Sequence, residues 1–425
     1  MIINRRRLSL AVMGWAVAAF AAVALPAISF AADPIKIGLS MSLTGGLAGG
    51  GKPSLLAMQM WQDDINAKGG LLGRPVQLVY YDDQSDPSTV PGIYTKLLDV
   101  DKVDLVVSSY ATNQIAPAMP IVMQHNMVYM GLFGTAVNAS FNYDKYFQIL
   151  PNGPEPAIGP SYGFFQLAME MNPKPKTVAL VAANAEYQQN VINGARDLAN
   201  KAGLQIVYDQ SYPPNSTDFS PIMHAIQAAK PDVVYVASYP PESVGIIRAA
   251  NEAGLKAKMF GGGMIGLAFT PIMAQLGPLL NGVVAYDTYV PSPKTNFPGI
   301  ADFLKRYQAK AVDAGVDPLG YYLPPFAYAE LQILGDAVNK VGSLDQAAIA
   351  TYIHATTFKT VVGDVTFAPS GEWAKTRILF VQFQGVKGND VDQFRKPGAQ
   401  VVLYPPEFKS GAFHYPYDAK KMAGQ

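Results

Sequence analysis

The 425-residue sequence contains no cysteine. Disulfides, thiolate metal sites, a catalytic thiol and lipid attachment through cysteine are therefore excluded. Histidine is almost as scarce: His125, His224, His354 and His414 are scattered and form no metal-ligating or catalytic spacing. No Gly-x-Ser-x-Gly or His-rich motif stands out to bring a nucleophile, a base and an orienting group together, which argues against acyl-transfer or hydrolytic chemistry. Charge imbalance is missing too, because Lys plus Arg and Asp plus Glu each number 32. Without a basic block or basic-aromatic interleaving, nucleic acid is not expected as a partner.

What is present is apolar: 49% of the residues are hydrophobic and only 15% charged. A chain of this length and composition can bury two substantial cores, so two domains are expected and disorder is not. Residues 1–31 read as an export signal, with Arg5-Arg6-Arg7, an apolar run from Leu8 to Phe30, and Ser29-Phe30-Ala31 as a small-x-small site cut near Ala31. An uncleaved membrane anchor is the alternative; Pro26 and the Ala-rich end favour cleavage. The arginines only weakly resemble a twin-arginine signal. Removing three Arg from the 32 basic residues leaves 29 against 32 acidic ones, a mildly acidic exported protein. No other segment is apolar enough to span a bilayer.

Short apolar runs then alternate with helical patterns. Strands are predicted at 35–41, 76–81, 103–108 and 127–131, with helices near 54–67, 87–100 and 113–125 between them. The alternation breaks at the proline-rich Pro151-Asn-Gly-Pro-Glu-Pro156 and restarts, with strands at 177–182, 205–212, 233–237, 258–260 and 282–287. Such strand-helix repeats mean parallel sheets with right-handed crossovers. Two series joined by a proline-rich crossing imply two lobes facing each other across a cleft. From Pro291 helices are predicted at 298–314, 323–341 and 344–354, then strands at 360–367 and 378–384. The segment 397–425, rich in Pro and aromatics, is expected to lack regular structure and wrap the surface.

The stretch Val103 to Ile121 is the focus of the functional reading. Ser108, Ser109, Tyr110, Ala111, Thr112 and Asn113 stand at a strand-to-helix turn, where free N–H groups and the positive end of the helix dipole can hold an anion without a Lys or Arg; an ordinary capped helix is the plainer reading. Gly46-x4-Gly51-Lys52 has phosphate-loop spacing, but Pro53 replaces the Mg²⁺-binding hydroxyl, so no nucleotide cofactor is expected. Asp82, Asp83 and Asp86 could form an acid/base or metal cluster, and a secreted hydrolase built on them is the rival enzyme reading. The plainer reading is a strand exit plus a helix cap at Asp86 before Pro87. No metal site is assigned.

Four segments together resemble the leucine/isoleucine/valine-binding-protein family, the extracytoplasmic solute receptors of ABC importers. They are Ile35-x-Ile-Gly-Leu-Ser-x-Ser-Leu-Thr-Gly45, Asp64-Ile-Asn-Ala-Lys-Gly-Gly-Leu-Leu-Gly-Arg-Pro75, Asp82-Asp-Gln-Ser-Asp-Pro87 and Val401-Val-Leu-Tyr-Pro-Pro-Glu-Phe408. The resemblance implies the type I periplasmic-binding fold: α/β, two doubly wound parallel-sheet lobes joined by a hinge crossed three times. It places the crossings near Pro151, Val290 and Phe358. One lobe then takes 32–150 plus 291–357, the other 151–290 plus 358–396. It also implies a periplasmic monomer that is no enzyme, carries no cofactor, and delivers a small carboxylate to an inner-membrane ABC permease. A receptor signalling to a sensor kinase remains an alternative.

Matched residue by residue, the family's carboxylate-binding serine falls on Thr112, beside Tyr110 and Ala111. The next contact loop becomes Gly131-Leu-Phe-Gly-Thr135, with Thr135 as a second hydroxyl and Phe133 facing the cleft. The closing aromatics of the opposite lobe fall on Tyr187 and Tyr239. Where relatives often carry an aromatic this chain has Gly50, and where amino-acid receptors place an acid for the ammonium it has Gly261-Gly-Gly263-Met264. Glu186, Glu242 and Asp287 are the candidates to replace that acid. The departures imply an enlarged, aromatic-walled cleft suited to an aromatic or phenylpropanoid-type acid; a branched-chain or other amino acid is the alternative.

Overall fold

In the computed structural model, residues 33–214 and 216–424 are described; the expected export signal, 1–31, lies outside them. Five strands, Ile35–Met41 (β1), Val76–Asp82 (β2), Leu105–Tyr110 (β3), Tyr129–Leu132 (β4) and Tyr146–Gln148 (β5), form a parallel sheet in the order β2-β1-β3-β4-β5. The apolar run of β3 is buried along its whole length, as a strand covered on both faces requires.

The second sheet takes Thr177–Ala183 (β6), Gln205–Tyr212 (β7), Val233–Ser238 (β8), Met259–Met264 and Val284–Asp287. Counting the two-residue Lys256–Ala257 as β9, the last two are β10 and β11, and β7-β6-β8-β10-β11 repeats the order of the first sheet. In each sheet the winding reverses beside the first strand, between β1 and β3 and between β6 and β8. Such switch points leave a crevice at the carboxyl ends of the strands, where open α/β sheets bind ligands.

Helices Ile300–Ala311 and Pro324–Val341 return to the first lobe, packing on helix Ala48–Ala67. The predicted strand 360–367 is instead a hairpin of Phe358–Thr360 (β12) and Gly363–Val365 (β13). The hairpin stays with the first lobe, since Val361 N–H donates to Gln332 and Phe367 stacks edge-on against Phe147. The third passage, expected near Phe358, therefore falls about Arg377, whose N–H donates to the carbonyl of Pro151 in the first passage at 2.9 Å.

Leu379–Phe383 (β14) and Gln400–Tyr404 (β15) extend the second sheet in antiparallel fashion beyond β11. The expectation that 397–425 lacks regular structure is thus corrected. Val402 and Leu403 are buried, and Pro405 ends the strand at a sheet edge, where a missing N–H is tolerated. The short Tyr417–Asp418 (β16) pairs with β9.

Helix Ala48–Ala67 begins six residues before its predicted start, so the glycine run lies in its first turn rather than in a phosphate-cradling loop. No helix among the described residues is long and apolar enough to cross a membrane.

Candidate functional site

At the end of β3 the chain turns through Ala111 with φ +88°, a left-handed conformation rare for a residue with a side chain. Phe133, at the end of β4, is also left-handed (φ +63°). These corners bring two loops together: the Thr112 hydroxyl accepts from Thr135 N–H at 2.9 Å. Two further hydrogen bonds reach across the cleft. Asn113 Oδ1 accepts from Tyr187 N–H at 3.1 Å, and Asn190 Nδ2 donates to the Thr135 carbonyl at 3.0 Å.

On the opposite lobe Tyr187 stacks on Tyr239, with ring centroids 5.0 Å apart at 23°. The Tyr187 hydroxyl donates to the Gly263 carbonyl at 2.9 Å. The Tyr239 hydroxyl stands by the Thr112 hydroxyl and the Asn113 N–H without closing a hydrogen bond in good geometry. Burial pushes the Tyr187 and Tyr239 hydroxyls up, so both stay neutral donors. Tyr110, Ala111, Thr112, Phe133, Thr135, Tyr187, Tyr239 and Gly263 are thus gathered where the carboxyl ends of the two sheets meet.

Gly131 lies behind this cluster, where a Cβ would come within 2.5 Å of the Tyr146 hydroxyl. Asp287 does not join it either. Its oxygens accept from Thr288 N–H, Tyr289 N–H and Gln400 Nε2 at 2.7, 3.3 and 3.0 Å. Burial pushes its carboxyl up to about 7 in spite of these donors.

The expected enlargement of the cleft is not what the glycines do. A Cβ at Gly50 would lie 2.7 Å from Tyr110 Cε1, and one at Gly263 3.0 Å from the Tyr235 hydroxyl. Tyrosine rings fill the space that the missing side chains leave. Tyr110 and Phe133 likewise pack into an aromatic interior: Tyr110 meets Phe269 edge-on, and Phe133 meets Tyr322 and Phe326 at 5.1 and 5.0 Å.

Beside this cluster lies a cavity of about 580 Å³ between the lobes. Its walls come from the loops after β1, β2 and β3 on one side and after β6, β7 and β8 on the other, matching the two switch points. Of the sequence-predicted residues, Asn113 of the anion-binding turn, Tyr239 and the ammonium candidate Glu242 line it. Gln114, Gln188 and Phe219 line it as well and were not singled out from the sequence. Gln114 and Gln188 each sit within two residues of a family-matched position, which is the signal that could have found them; Phe219 has none. Glu242 caps its helix, Oε2 accepting from Tyr239 N–H at 2.9 Å and Gln188 Nε2 at 3.1 Å. Burial raises its carboxyl above the ordinary range, against the pull of those donors.

The carboxylates of the rival hydrolase reading are used up in shaping loops. Asp83 accepts from the Ser42 and Ser109 hydroxyls at 2.6 and 2.7 Å. Asp82 accepts from Leu43, Thr44 and Gln84 N–H, and Asp86 caps Ser88 N–H at 2.9 Å. Burial pushes Asp83 up; for Asp82 the donors, led by Thr44, outweigh burial and pull it down.

One nucleophile-like spacing does exist, Gly159-Pro-Ser161-Tyr-Gly163, which corrects the reading that no such motif occurs. Ser161 lies inside helix Gly159–Glu170, fully buried, and donates to the Tyr235 hydroxyl at 2.8 Å, whereas a strand-to-helix elbow would expose it. Among the described residues no group of three or more His, Asp or Glu is arranged to hold a metal ion.

Residues 34–389 match the model of a periplasmic binding protein family. The chain is 29% identical over 374 residues to Leu/Ile/Val-binding protein homolog 2 of Brucella abortus (strain 2308), covering 87% of this chain and 95% of that one. Among solved structures, a branched-chain amino acid transporter substrate-binding protein of Streptococcus pneumoniae, in complex with isoleucine, superposes with a TM-score of 0.71 at 19% identity, covering 88% and 100% of the two chains. A solute-binding protein of an ABC transporter from R. palustris, in complex with benzoate, does so with a TM-score of 0.71 at 17% identity, covering 87% and 95%. These relatives are solute-binding proteins rather than enzymes. The chain belongs to the periplasmic binding protein family, as a type I member of its leucine/isoleucine/valine-binding group.

Proposed function

We propose that this chain is the solute receptor of an ABC importer, exported to the periplasm with its signal cut near Ala31, and acting as a monomer that hands a small carboxylate to an inner-membrane permease. The observation that carries this reading is the cavity of about 580 Å³ between the two switch points, bounded by hydrogen bonds that cross from lobe to lobe. A ligand held by both walls favours the closed form, and closure is the state a permease can read. The lobes follow the sequence assignment, except that the third crossing is placed at Arg377. Thr112, Asn113 and Tyr239 are assigned to the carboxylate, with Tyr187, Thr135 and Phe133 supporting them.

For the ligand, an aromatic or phenylpropanoid-type acid is favoured. A buried ammonium requires an ionised acid, yet Asp287 is engaged by three donors and Glu242 by two. The second reading, a branched-chain amino acid, rests on Glu242, which does line the cavity, and on the names of the sequence relatives. A thermal-shift screen of the mature protein decides between them. A ligand at 100 times its dissociation constant adds about 2.7 kcal/mol of stability. Stabilisation by benzoate or cinnamate is expected; stabilisation by leucine, isoleucine or valine alone overturns the aromatic-acid reading, and turnover of a bound ligand overturns the receptor reading.

A further inference from the structure

Three buried side chains on the cavity wall carry polar atoms that make no hydrogen bond within the protein. Gln114, fully buried, leaves both amide atoms unpaired; Gln188, 1% exposed, leaves Oε1 unpaired; Tyr239 leaves its hydroxyl unpaired. Gln114 belongs to the first lobe and the other two to the second, so the three residues line one cavity from opposite sides. Buried polar groups without partners are disfavoured, and two glutamines placed this way mark where a ligand supplies the missing bonds.

The orientation of Gln188 limits what that ligand can be. Its Nε2 donates to Glu242 Oε2 at 3.1 Å, and the same oxygen takes Tyr239 N–H. A flipped amide would set Oε1 against the Glu242 carboxylate, so the atom left unpaired beside the cavity is an acceptor. Next to Glu242, that acceptor disfavours a second carboxylate and leaves a purely hydrocarbon tail with an unsatisfied oxygen. Gln114 offers both a donor and an acceptor. A hydroxyl meets both sides at once, giving its hydrogen to Gln188 Oε1 and accepting from Gln114 Nε2.

We propose that Gln114 and Gln188 determine specificity, selecting an aromatic acid that carries a neutral hydroxyl bridging the two lobes. This deepens the carboxylate-receptor reading and rests on it. A site built to pair a ligand hydroxyl rejects the analogue that lacks it, because its own buried groups are then left unpaired.

The test is isothermal titration of the mature protein with cinnamate and with 2-, 3- and 4-hydroxycinnamate. At least one hydroxylated acid is expected to bind tenfold or more tightly than cinnamate. Gln188→Met and Gln114→Leu are each expected to shrink that preference to about twofold, by weakening the hydroxylated acids more than cinnamate. Circular dichroism confirms folding, and Gln188→Met carries the test if Gln114→Leu does not fold. Equal binding of all four acids by the wild type overturns the inference and leaves the receptor reading standing. Variants that weaken cinnamate and its hydroxylated forms alike overturn it too, since a merely structural role acts that way. Binding of leucine but of no cinnamate ends the aromatic-acid reading and this inference together.

Discussion

Replacing Asn190 with alanine removes one of the two hydrogen bonds described across the cleft while sparing the core of either lobe. Asn190 sits in helix Glu186–Lys201, half-buried, and its Nδ2 reaches the Thr135 carbonyl at 3.0 Å. The other bond, from Tyr187 N–H to Asn113, stays. A neutral hydrogen bond of this kind contributes about 0.5–1.5 kcal/mol net. The closed form should therefore lose roughly two- to twelvefold in population relative to the open one. A ligand that bridges both lobes binds the closed form, so where that form is the minor one its apparent affinity falls by the same factor. The melting temperature of the free protein should hardly move, because the bond joins lobes rather than holding one together. Titration calorimetry reads the affinity, and small-angle scattering with and without saturating ligand reads closure. An unchanged Kd together with the same radius of gyration in wild type and variant would show that this bond does not gate the cleft. Identical radii with and without ligand in the wild type would refute the hinge itself.

Thr112→Val should cost about 1–3 kcal/mol of stability as well as ligand affinity, because it leaves the buried Thr135 N–H without its acceptor; Thr112→Ser should restore both, and a Val variant of wild-type stability in urea would refute this. Asp287 should make stability fall with rising pH. Its folded pKa, about 7, lies above its ordinary 3.8, so its contribution is intact below about pH 4, declines through the window up to about pH 7 and is level above it. The full shift corresponds to on the order of 4 kcal/mol. Asp287→Asn should therefore gain on the wild type between pH 4 and pH 8 in urea titrations; a constant difference between the two would exclude Asp287 as the source. Gly50→Ala should lose about 1–3 kcal/mol by pushing its methyl into Tyr110 and Leu323, at 2.7 and 2.8 Å. A melting temperature equal to wild type would mean that the rings yield freely.

Alternating apolar runs and helical patterns were enough to define the α/β class, the two strand series and most element positions, because burial of a parallel strand on both faces leaves a continuous hydrophobic signature. The family resemblance added Thr112, Tyr187 and Tyr239, and these do meet at the strand ends. Local pattern failed where pairing across long sequence distance decides the outcome. Gln400–Tyr404 becomes an edge strand only because β14 offers it a partner, and the third passage is set by the bond between Arg377 N–H and Pro151, 226 residues earlier.

The glycines show the same division between composition and surroundings. Read from composition, Gly50 and Gly263 are missing bulk; in the fold they are the spaces that Tyr110 and Tyr235 occupy. The acidic candidates also could not be ranked in the sequence, since three donors close on Asp287 while Glu242 faces the cavity. Sequence by itself thus determined the architecture and the pair of loops that meet at the strand ends, through periodicity, residue type and family resemblance. Only the tertiary structure decided which side chains pack into the floor and which, Gln114 and Gln188 among them, line the cavity with unpaired atoms, because that depends on neighbours brought together from distant parts of the chain.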